Sequence, residues 1–154
     1  MNIKAFNTSR KPRPITPHIR VCIFSTALAE KGQELQETLR SEIHNHLELY
    51  LNIDFFTFQL RENTSEPKVV ILQPGNRNDL SQLLTLKELL DIYPLILLLP
   101  DEDAKTIALG HRLWPRFVTT TNNYHQVAAV LKKIVTRIQI TRGDSETLIH
   151  NQTV

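Results

Sequence analysis

The stretch "KVVILQPGN", residues 68–76, decides the fold prediction. Its apolar run from Val69 to Leu72 ends at Gln73, and the Pro-Gly pair that follows breaks the strand. Continuous apolar runs of this length are typical of strands buried on both faces, as in parallel sheets. In open parallel sheets, ligands bind outside the carboxyl ends of the strands. Gln73 therefore stands where many α/β proteins place their chemistry, and it stands there with a neutral amide.

Strand-like and helix-like segments alternate on both sides of this stretch. Short apolar runs predict four more strands, over residues 19–24, 46–51, 94–99 and 116–121. Helical spacing follows the first strand, with apolar positions at Leu28, Leu35, Leu39 and Ile43. We expect Ser25 or Thr26 to cap that helix. Five strands separated by helices predict an α/β fold, a three-layer αβα sandwich with a five-stranded parallel sheet.

Three further helices are predicted later in the chain. One begins near Asp79 and is rich in leucine, one is short and ends near Gly110, and the last covers residues 123–138. Asp101, Glu102 and Asp103 crowd the start of the short helix, where acids favour the helix dipole. We interpret them as capping residues rather than as a cation site.

The section between residues 46 and 59 allows two interpretations. In the first, residues 46–51 form a strand and Asn52 or Asp54 caps a short helix. In the second, the strand is "LNIDFFTFQ", residues 51–59, with no helix, and the pair that it forms with the next strand is antiparallel. The first is favoured because it keeps the alternation of strands and helices.

Composition is that of a globular protein. The chain has 154 residues, 41% hydrophobic and 22% charged, with a formal net charge of +2. This length fits one domain, and the charge is too small to favour nucleic acid as a partner. The lone Cys22 lies in an apolar strand and is expected to be inert. Because no apolar run reaches the ~20 residues of a membrane helix, and none resembles a signal peptide, we expect a soluble, cytoplasmic protein.

The predicted domain covers residues 19–138. Residues 1–18 form a basic, proline-rich arm, and residues 139–154 form a tail without a clear period. Proline spacing in "SRKPRPITPHIR", residues 9–20, predicts an extended segment. Two interpretations of the arm are open. It contacts phosphates or an anionic surface, or it is a solvated leader.

The order of these elements resembles that of a response-regulator receiver domain. The resemblance covers about residues 19–138 and includes the "VVIL" run before Gln73 and the section "YPLILLLPDEDAKTIALGHRLWPRFVTTTNNYHQVAAVLKKI". In that family an acidic pair ends strand one and binds magnesium, an aspartate ending strand three accepts the phosphoryl group, a Ser or Thr ends strand four, and a lysine ends strand five. The matching positions here hold Phe24 and Ser25, Gln73, Pro100 and Thr120.

The resemblance implies a degenerate receiver, of the kind called a pseudo-receiver or atypical receiver. A glutamine amide cannot form an acyl phosphate, because it offers no carboxylate oxygen to attack phosphorus. We therefore predict no catalytic residue, no metal site and no cofactor. The other interpretation is that Gln73 is only a polar strand end in a different flavodoxin-like protein.

Two surfaces are predicted to carry the function. The strand-end cleft comprises Ser25, Thr26, Pro100, Asp101, Thr119 and Thr120. The candidate partner interface comprises His111, Arg112, Trp114, Arg116, Tyr124 and His125, because aromatic residues and Arg anchor interfaces. Trp114 either belongs to that interface or caps the core beneath its loop. His44 and His46 share a side if extended, but no third ligand stands near them.

These observations favour a non-enzymatic signalling or regulatory interaction module. Its expected partner is a protein, either a signalling or output protein or a second copy in a homodimer. The alternative is a small-ligand or anion sensor that uses the hydroxyl groups of the strand-end cleft. An enzyme of flavodoxin-like fold is least favoured, because no acid and base pair, nucleophile or cofactor loop is visible.

Overall fold

The computed structural model describes residues 18–62, 66–120 and 122–152, with residues 29 and 142–152 described as backbone only. Most of the predicted amino-terminal arm, residues 1–17, and Thr121 of the predicted fifth strand lie outside the described residues. The predicted domain boundaries stay predictions.

A single five-stranded sheet forms the middle layer. All of its strand pairs are parallel, and the strand order is β2-β1-β3-β4-β5. The prediction of a parallel αβα sandwich is confirmed. The strands are β1 Arg20–Ser25, β2 His46–Tyr50, β3 Lys68–Gln73, β4 Leu95–Leu99 and β5 Phe117–Thr120.

Helices connect the strands and cover both faces of the sheet. Between β1 and β2, and again between β2 and β3, a single helix makes the crossover, whereas two consecutive helices precede β4. The helix predicted near Asp79 is therefore divided into two. The helices are α1 Ala29–Glu42, α2 Ile53–Arg61, α3 Arg77–Leu84, α4 Lys87–Leu90, α5 Ala104–His111 and α6 Tyr124–Gln152.

The ambiguous section takes the strand-and-helix form, so the single-strand alternative is wrong. Asn52 caps α2, because its side-chain oxygen accepts hydrogen bonds from the backbone N–H of Asp54 at 2.8 Å and of Phe55 at 3.2 Å. The turn therefore begins a helix immediately after β2, and Phe56 and Leu60 of that helix are buried against the sheet.

Alternation along the strands divides the core into two halves. Val21, Ile23 and Ile71 belong to the half that α1 and α6 cover. The intervening residues Cys22 and Phe24 belong to the other half, with α2 to α5. Because both faces of the strands are buried, the strands read as continuous apolar runs in the sequence.

Two predictions about the start of α1 are wrong. Leu28 stands at the amino-terminal cap position, and the side chain is 76% exposed rather than part of the core. Neither Ser25 nor Thr26 caps the helix, because no side-chain hydrogen bond caps α1. Their hydroxyl groups instead join β1 to β3 and to the loop that follows it.

The last helix is longer than the period of its apolar residues indicated. The backbone of α6 stays helical for 29 residues, through Gln152, and so includes most of the segment treated as a tail. Neither α6 nor any other helix of the described chain is long and apolar enough to cross a membrane.

Edge strand β2 is tied to β1 by a charged group around Glu48. The Glu48 carboxylate contacts Nε2 of His46 at 2.7 Å, accepts a hydrogen bond from the Tyr50 hydroxyl, and lies 3.9 Å from Nε of Arg20. Burial raises the pKa of this carboxyl, but the hydrogen bonds from Tyr50 and His46 and the charge of Arg20 outweigh burial and lower the pKa below its usual value.

Replacement of Glu48 by Gln is expected to give a pH-dependent loss of stability. Since the folded-state pKa lies below the unfolded value of 4.5, the carboxylate stabilises the fold above pH 4.5, and the effect is lost as pH falls through the folded-state pKa. Urea unfolding should show Glu48→Gln to be less stable than the wild type by about 0.5–1 kcal/mol at pH 7. The difference should shrink as pH falls below 4.5, and a constant difference would contradict the assignment.

Candidate functional site

The carboxyl ends of β1 and β3 lie side by side at the centre of the sheet. Ser25 pairs with Gln73 in the register of these two strands. The strand order reverses between β1 and β3, and this is the place where proteins of this topology bind ligands. Any site inherited from the fold would therefore lie around these two residues.

The amide of Gln73 is completely buried and hydrogen-bonded at both ends. Its exposed fraction is 0%. The Ser25 hydroxyl donates to Oε1 at 2.8 Å, and Nε2 donates to the Tyr124 hydroxyl at 3.1 Å. The Tyr124 hydroxyl in turn donates to the backbone oxygen of Lys31 at 3.4 Å. This chain of hydrogen bonds, the Gln73 network, joins β1, β3, α6 and α1.

The Tyr124 phenol stays protonated within this network. Burial raises the pKa of Tyr124, and the charge of Glu34 acts in the same direction, while the hydrogen bond from Gln73 lowers the pKa by less. A protonated phenol can accept from the amide of Gln73 and donate to Lys31 at once. The network therefore keeps one direction of donation at neutral pH.

The loop that follows β1 and the loop that follows β3 pack closely against each other at this end of the sheet. Thr26 Oγ1 accepts a hydrogen bond from the backbone N–H of Gly75 at 2.9 Å. A Cβ atom at Gly75 would lie 2.6 Å from the backbone oxygen of Thr26, so only glycine fits there. The two loops that flank Gln73 are thus held against each other.

The end of β1 carries no acidic side chain. Phe24 is 3% exposed, and its ring stacks on that of Phe56 with centroids 4.9 Å apart. Ser25 is engaged with Gln73. The structure therefore places an aromatic residue and a hydroxyl where a magnesium site of the receiver type requires two acids.

Two of the three acids that follow β4, Asp101 and Asp103, make hydrogen bonds at the start of helix α5. Asp103 caps it by accepting from the backbone N–H of Lys105 at 2.9 Å, and it pairs with Nη2 of Arg77 at 3.2 Å. Asp101 accepts from the backbone N–H of Asp103 at 2.9 Å, and a hydrogen bond from Thr106 lowers the pKa of the Asp101 carboxyl. The capping interpretation is confirmed for Asp103.

No metal site is evident in the part of the chain that the structure describes. No three or more His, Cys, Asp and Glu side chains there lie close enough to hold an ion. His46, one of the two histidines considered in the sequence, contacts Glu48 instead. Cys22 is fully buried, and burial raises the pKa of its thiol to about 12, with Glu48 adding to the shift.

The hydroxyl groups of the predicted strand-end cleft do not converge. Ser25 and Thr119 are buried on the α1 and α6 side, where Ser25 donates to Gln73 and Thr119 accepts from Asn123 Nδ2 at 2.9 Å. Thr26 is exposed, as is Asp101, while Pro100 and Thr120 are half-buried. The hydrogen-bonding groups that the sensor hypothesis requires are thus divided between two sides of the sheet.

An open cleft of about 480 Å³ lies on the opposite side of the same edge, between β1, α2 and α3. Among its lining residues, only Thr26 belongs to the predicted strand-end cleft. The others come from β1, from α2 and the residues just before it, and from α3 and the turn after it, so their proximity depends on the packing of three elements. The lining residues are Phe24, Thr26, Leu51, Asn52, Ile53, Asp79, Gln82, Leu83, Thr85 and Leu86.

The residues of the predicted partner interface lie at opposite ends of the sheet. The loop with Trp114 lies at the amino end, because the next residues enter β5 and Arg116 N–H donates to Leu95 at the start of β4. Tyr124 and His125 begin α6 beyond the carboxyl end of β5. Four strand residues at ~3.3 Å each separate the two groups by more than about 13 Å.

The members of this group also differ in exposure. His111, Arg112, Trp114 and Arg116 are exposed at the amino end. At the other end, Tyr124 is half-buried within the Gln73 network, and His125 is exposed and contacts Glu42 at 2.7 Å.

Trp114 does not cap the core. Its side chain is 75% exposed, whereas the preceding Leu113 is 1% exposed and fills the core position. The backbone of Trp114 has a φ of 54°, a left-handed conformation that is unfavourable for a bulky side chain. The ammonium of Lys87 lies 5.7 Å from the centre of its ring.

No protein-family model matches this sequence, and no curated protein matches it. Solved structures nevertheless share the fold. A signal receiver domain of an HD domain-containing protein from Pseudomonas fluorescens Pf-5 has a TM-score of 0.62 and 16% identity, with 88% of this chain and 98% of that chain covered. A pilus assembly-related protein from Burkholderia pseudomallei K96243 has a TM-score of 0.60 and 14% identity, with 82% and 96% covered.

These likenesses establish a receiver-like, flavodoxin-like fold. The receiver resemblance of the sequence is thereby confirmed at the level of the fold, with the same all-parallel five-stranded sheet. At such low identity the shared feature is the architecture. The chemistry of the site has to be argued from the residues of this chain.

Removal of the Gln73 amide is expected to destabilise the fold. Gln73→Leu should lower the free energy of unfolding by about 1–3 kcal/mol, because the Ser25 and Tyr124 hydroxyls lose their partner in a buried site. Ser25→Ala in the same background should recover part of this loss, and a double-mutant cycle in urea measures the coupling. Ser81→Ala, at an exposed helical hydroxyl, is the control with little effect. Strict additivity of Gln73→Leu and Ser25→Ala would contradict the network.

Proposed function

We propose that this chain is a non-enzymatic regulatory interaction module with a receiver-like fold that accepts no phosphoryl group. It would bind protein partners in a single, constitutive state. The observation that carries the proposal is the Gln73 amide, which is fully buried and hydrogen-bonded at both ends.

Chemistry at Gln73 supports this proposal in two ways. First, the amide has no carboxylate oxygen with which to attack phosphorus. Second, the side chain is inaccessible, because its two polar atoms are already bonded to Ser25 and Tyr124. A phosphoryl donor would have to break both hydrogen bonds before contact.

The surroundings of Gln73 give no support to a magnesium ion either. Hard divalent cations require several oxygen ligands, of which carboxylates are the most important. At the end of β1 stand Phe24 and Ser25, one buried in the core and the other bonded to Gln73. Of the acids after β4, Asp101 and Asp103 are engaged around helix α5.

Phosphodonors should therefore leave the protein unchanged. With beryllofluoride and magnesium, the midpoint of thermal unfolding should stay within error, and acetyl phosphate should add no mass to the intact chain. A receiver domain that retains its aspartate, treated in parallel, is the positive control. A clear stabilisation, or an added phosphoryl mass on this chain, would refute the proposal.

A first candidate surface for a partner protein lies around Trp114. The exposed Trp114 is flanked in sequence by the exposed Arg112 and Arg116. Tryptophan and arginine are enriched among residues that contribute most to binding energy. An exposed tryptophan on a left-handed backbone brings little to folding, so contact with a partner is a reason for its presence.

Substitution of Trp114 should have little effect on folding. Trp114→Gly should change the free energy of unfolding by less than about 1 kcal/mol, because the relief of the left-handed backbone offsets the lost contact with Lys87. Leu113→Ala, at the adjacent buried position, should cost about 2–5 kcal/mol. Urea unfolding measures both, and a loss at Trp114 as large as that at Leu113 would make this tryptophan structural.

A further inference from the structure

Helix α2 turns large apolar side chains to the outside of the molecule. Phe55 is 69% exposed and Phe58 is 67% exposed, and the preceding Leu51 and Ile53 are 54% and 40% exposed. The inner face of the same helix is buried through Phe56 and Leu60. The helix is therefore apolar on two faces, and only the inner one is covered within the described part of the chain.

These residues border a groove at the edge of the sheet. The groove has a volume of about 400 Å³ and lies between β2, the first strand of the sheet order, and α2. Its lining includes Leu49, Leu51, Phe55 and Phe58. An exposed apolar patch beside an open strand edge is a feature that soluble proteins usually cover with a partner.

The charged residues on the same face differ in sign between the two ends of the helix. Asp54 lies in the first turn of α2 and Arg61 in the last turn. They are seven residues apart, close to two helical turns, so they share a face with Phe58 between them. Neither has an ion-pair partner among the described residues. The face thus presents an acid at one end, a base at the other and an aromatic ring in the middle.

We propose that this face binds a second copy of the chain, with the two α2 helices packed antiparallel about a two-fold axis. In that arrangement Asp54 of each copy lies opposite Arg61 of the other, so the ion pair forms twice. Phe58 packs near the axis, and Phe55 and Leu51 of each copy pack against the groove of the other. The inference rests on the proposed role as an interaction module and supplies the identity of one partner.

Two features of the face favour a second copy over an unrelated protein. A two-fold interface must be self-complementary, and an acid and a base at opposite ends of a short helix satisfy that condition only when the helices are antiparallel. The exposed apolar area is also a large part of what a dimer interface needs. A standard interface buries ~800 Å² per partner, of which about 65% is apolar in homodimers. The rings of Phe55 and Phe58, at the exposures given, supply roughly 200–340 Å² of that apolar area.

The oligomeric state of the full chain tests the proposal. Sedimentation equilibrium should show a reversible dimer, and Phe58→Ser should make the protein a monomer at the same concentration. Asp54→Arg and Arg61→Asp should each weaken dimerisation about tenfold, because each replaces two attractive pairs with two repulsive ones. Ile140→Ser is the matched control at an exposed apolar residue of α6, on the opposite face of the sheet, and it should leave the dimer unchanged.

A mixture of the two charge variants distinguishes loss of the ion pairs from general destabilisation of α2. When Asp54→Arg and Arg61→Asp are mixed in equal amounts, both pairs at the interface become attractive again, so a heterodimer should form with close to wild-type affinity. Circular dichroism of each variant establishes that it is folded. Recovery in the mixture is a result that general destabilisation of α2 cannot produce.

Three outcomes would overturn the proposal. They are a monomeric wild type throughout the concentration range, a dimer that persists in Phe58→Ser, and charge variants that do not recover on mixing. None of these outcomes bears on phosphodonor insensitivity, which depends on Gln73 alone. Conversely, a phosphorylated chain that still dimerises through α2 would refute the proposed function and leave the interface intact.

Discussion

The carboxyl edge of the sheet depends on the two hydrogen bonds that the Gln73 amide makes with Ser25 and Tyr124. Because the side chain is fully buried, each of its polar atoms needs a partner within the protein. The amide has an acceptor oxygen and a donor nitrogen, and each of these atoms has one hydroxyl partner. A carboxylate at the same place would bury a negative charge whose hydrogen-bond partners are hydroxyls, which is unfavourable in a site shielded from water. The neutral residue is thus the one that this environment stabilises.

With this edge engaged in internal hydrogen bonds, the most exposed aromatic side chains of the described residues lie elsewhere. Phe55 and Phe58 lie on α2, beside the edge strand β2, and Trp114 lies at the amino end of β5. Trp114 also has an unfavourable backbone conformation. Side chains of this size contribute little to folding when they remain in water. Their position on two separate surfaces is compatible with more than one protein contact at the same time.

Prediction from sequence worked best where burial imposes a simple pattern. The strands around Val21, Val70 and Leu97 are buried on both faces, so each is an uninterrupted apolar run. It failed where an apolar residue lies outside the core. Leu28 matches the helical spacing of α1 but precedes its first turn, and the side chain points into solvent. Phe55 and Phe58 are adjacent to the core residue Phe56, and hydrophobicity alone does not distinguish the exposed rings from the buried one.

The sequence by itself determined the alternation of strands and helices, apart from the division of the leucine-rich helix into α3 and α4, and the neutral amide at the end of β3. Local apolar patterns and residue identity need no knowledge of packing. Only the tertiary structure decided which groups satisfy that amide. Ser25 is 48 residues from Gln73 in the chain, and Tyr124 is 51 residues from Gln73. Their hydrogen bonds therefore require the register of β1 on β3 and the packing of α6 on the sheet. The separation of Trp114 from Tyr124 has the same origin. Residues close in sequence are carried to opposite ends of the sheet by the strand between them.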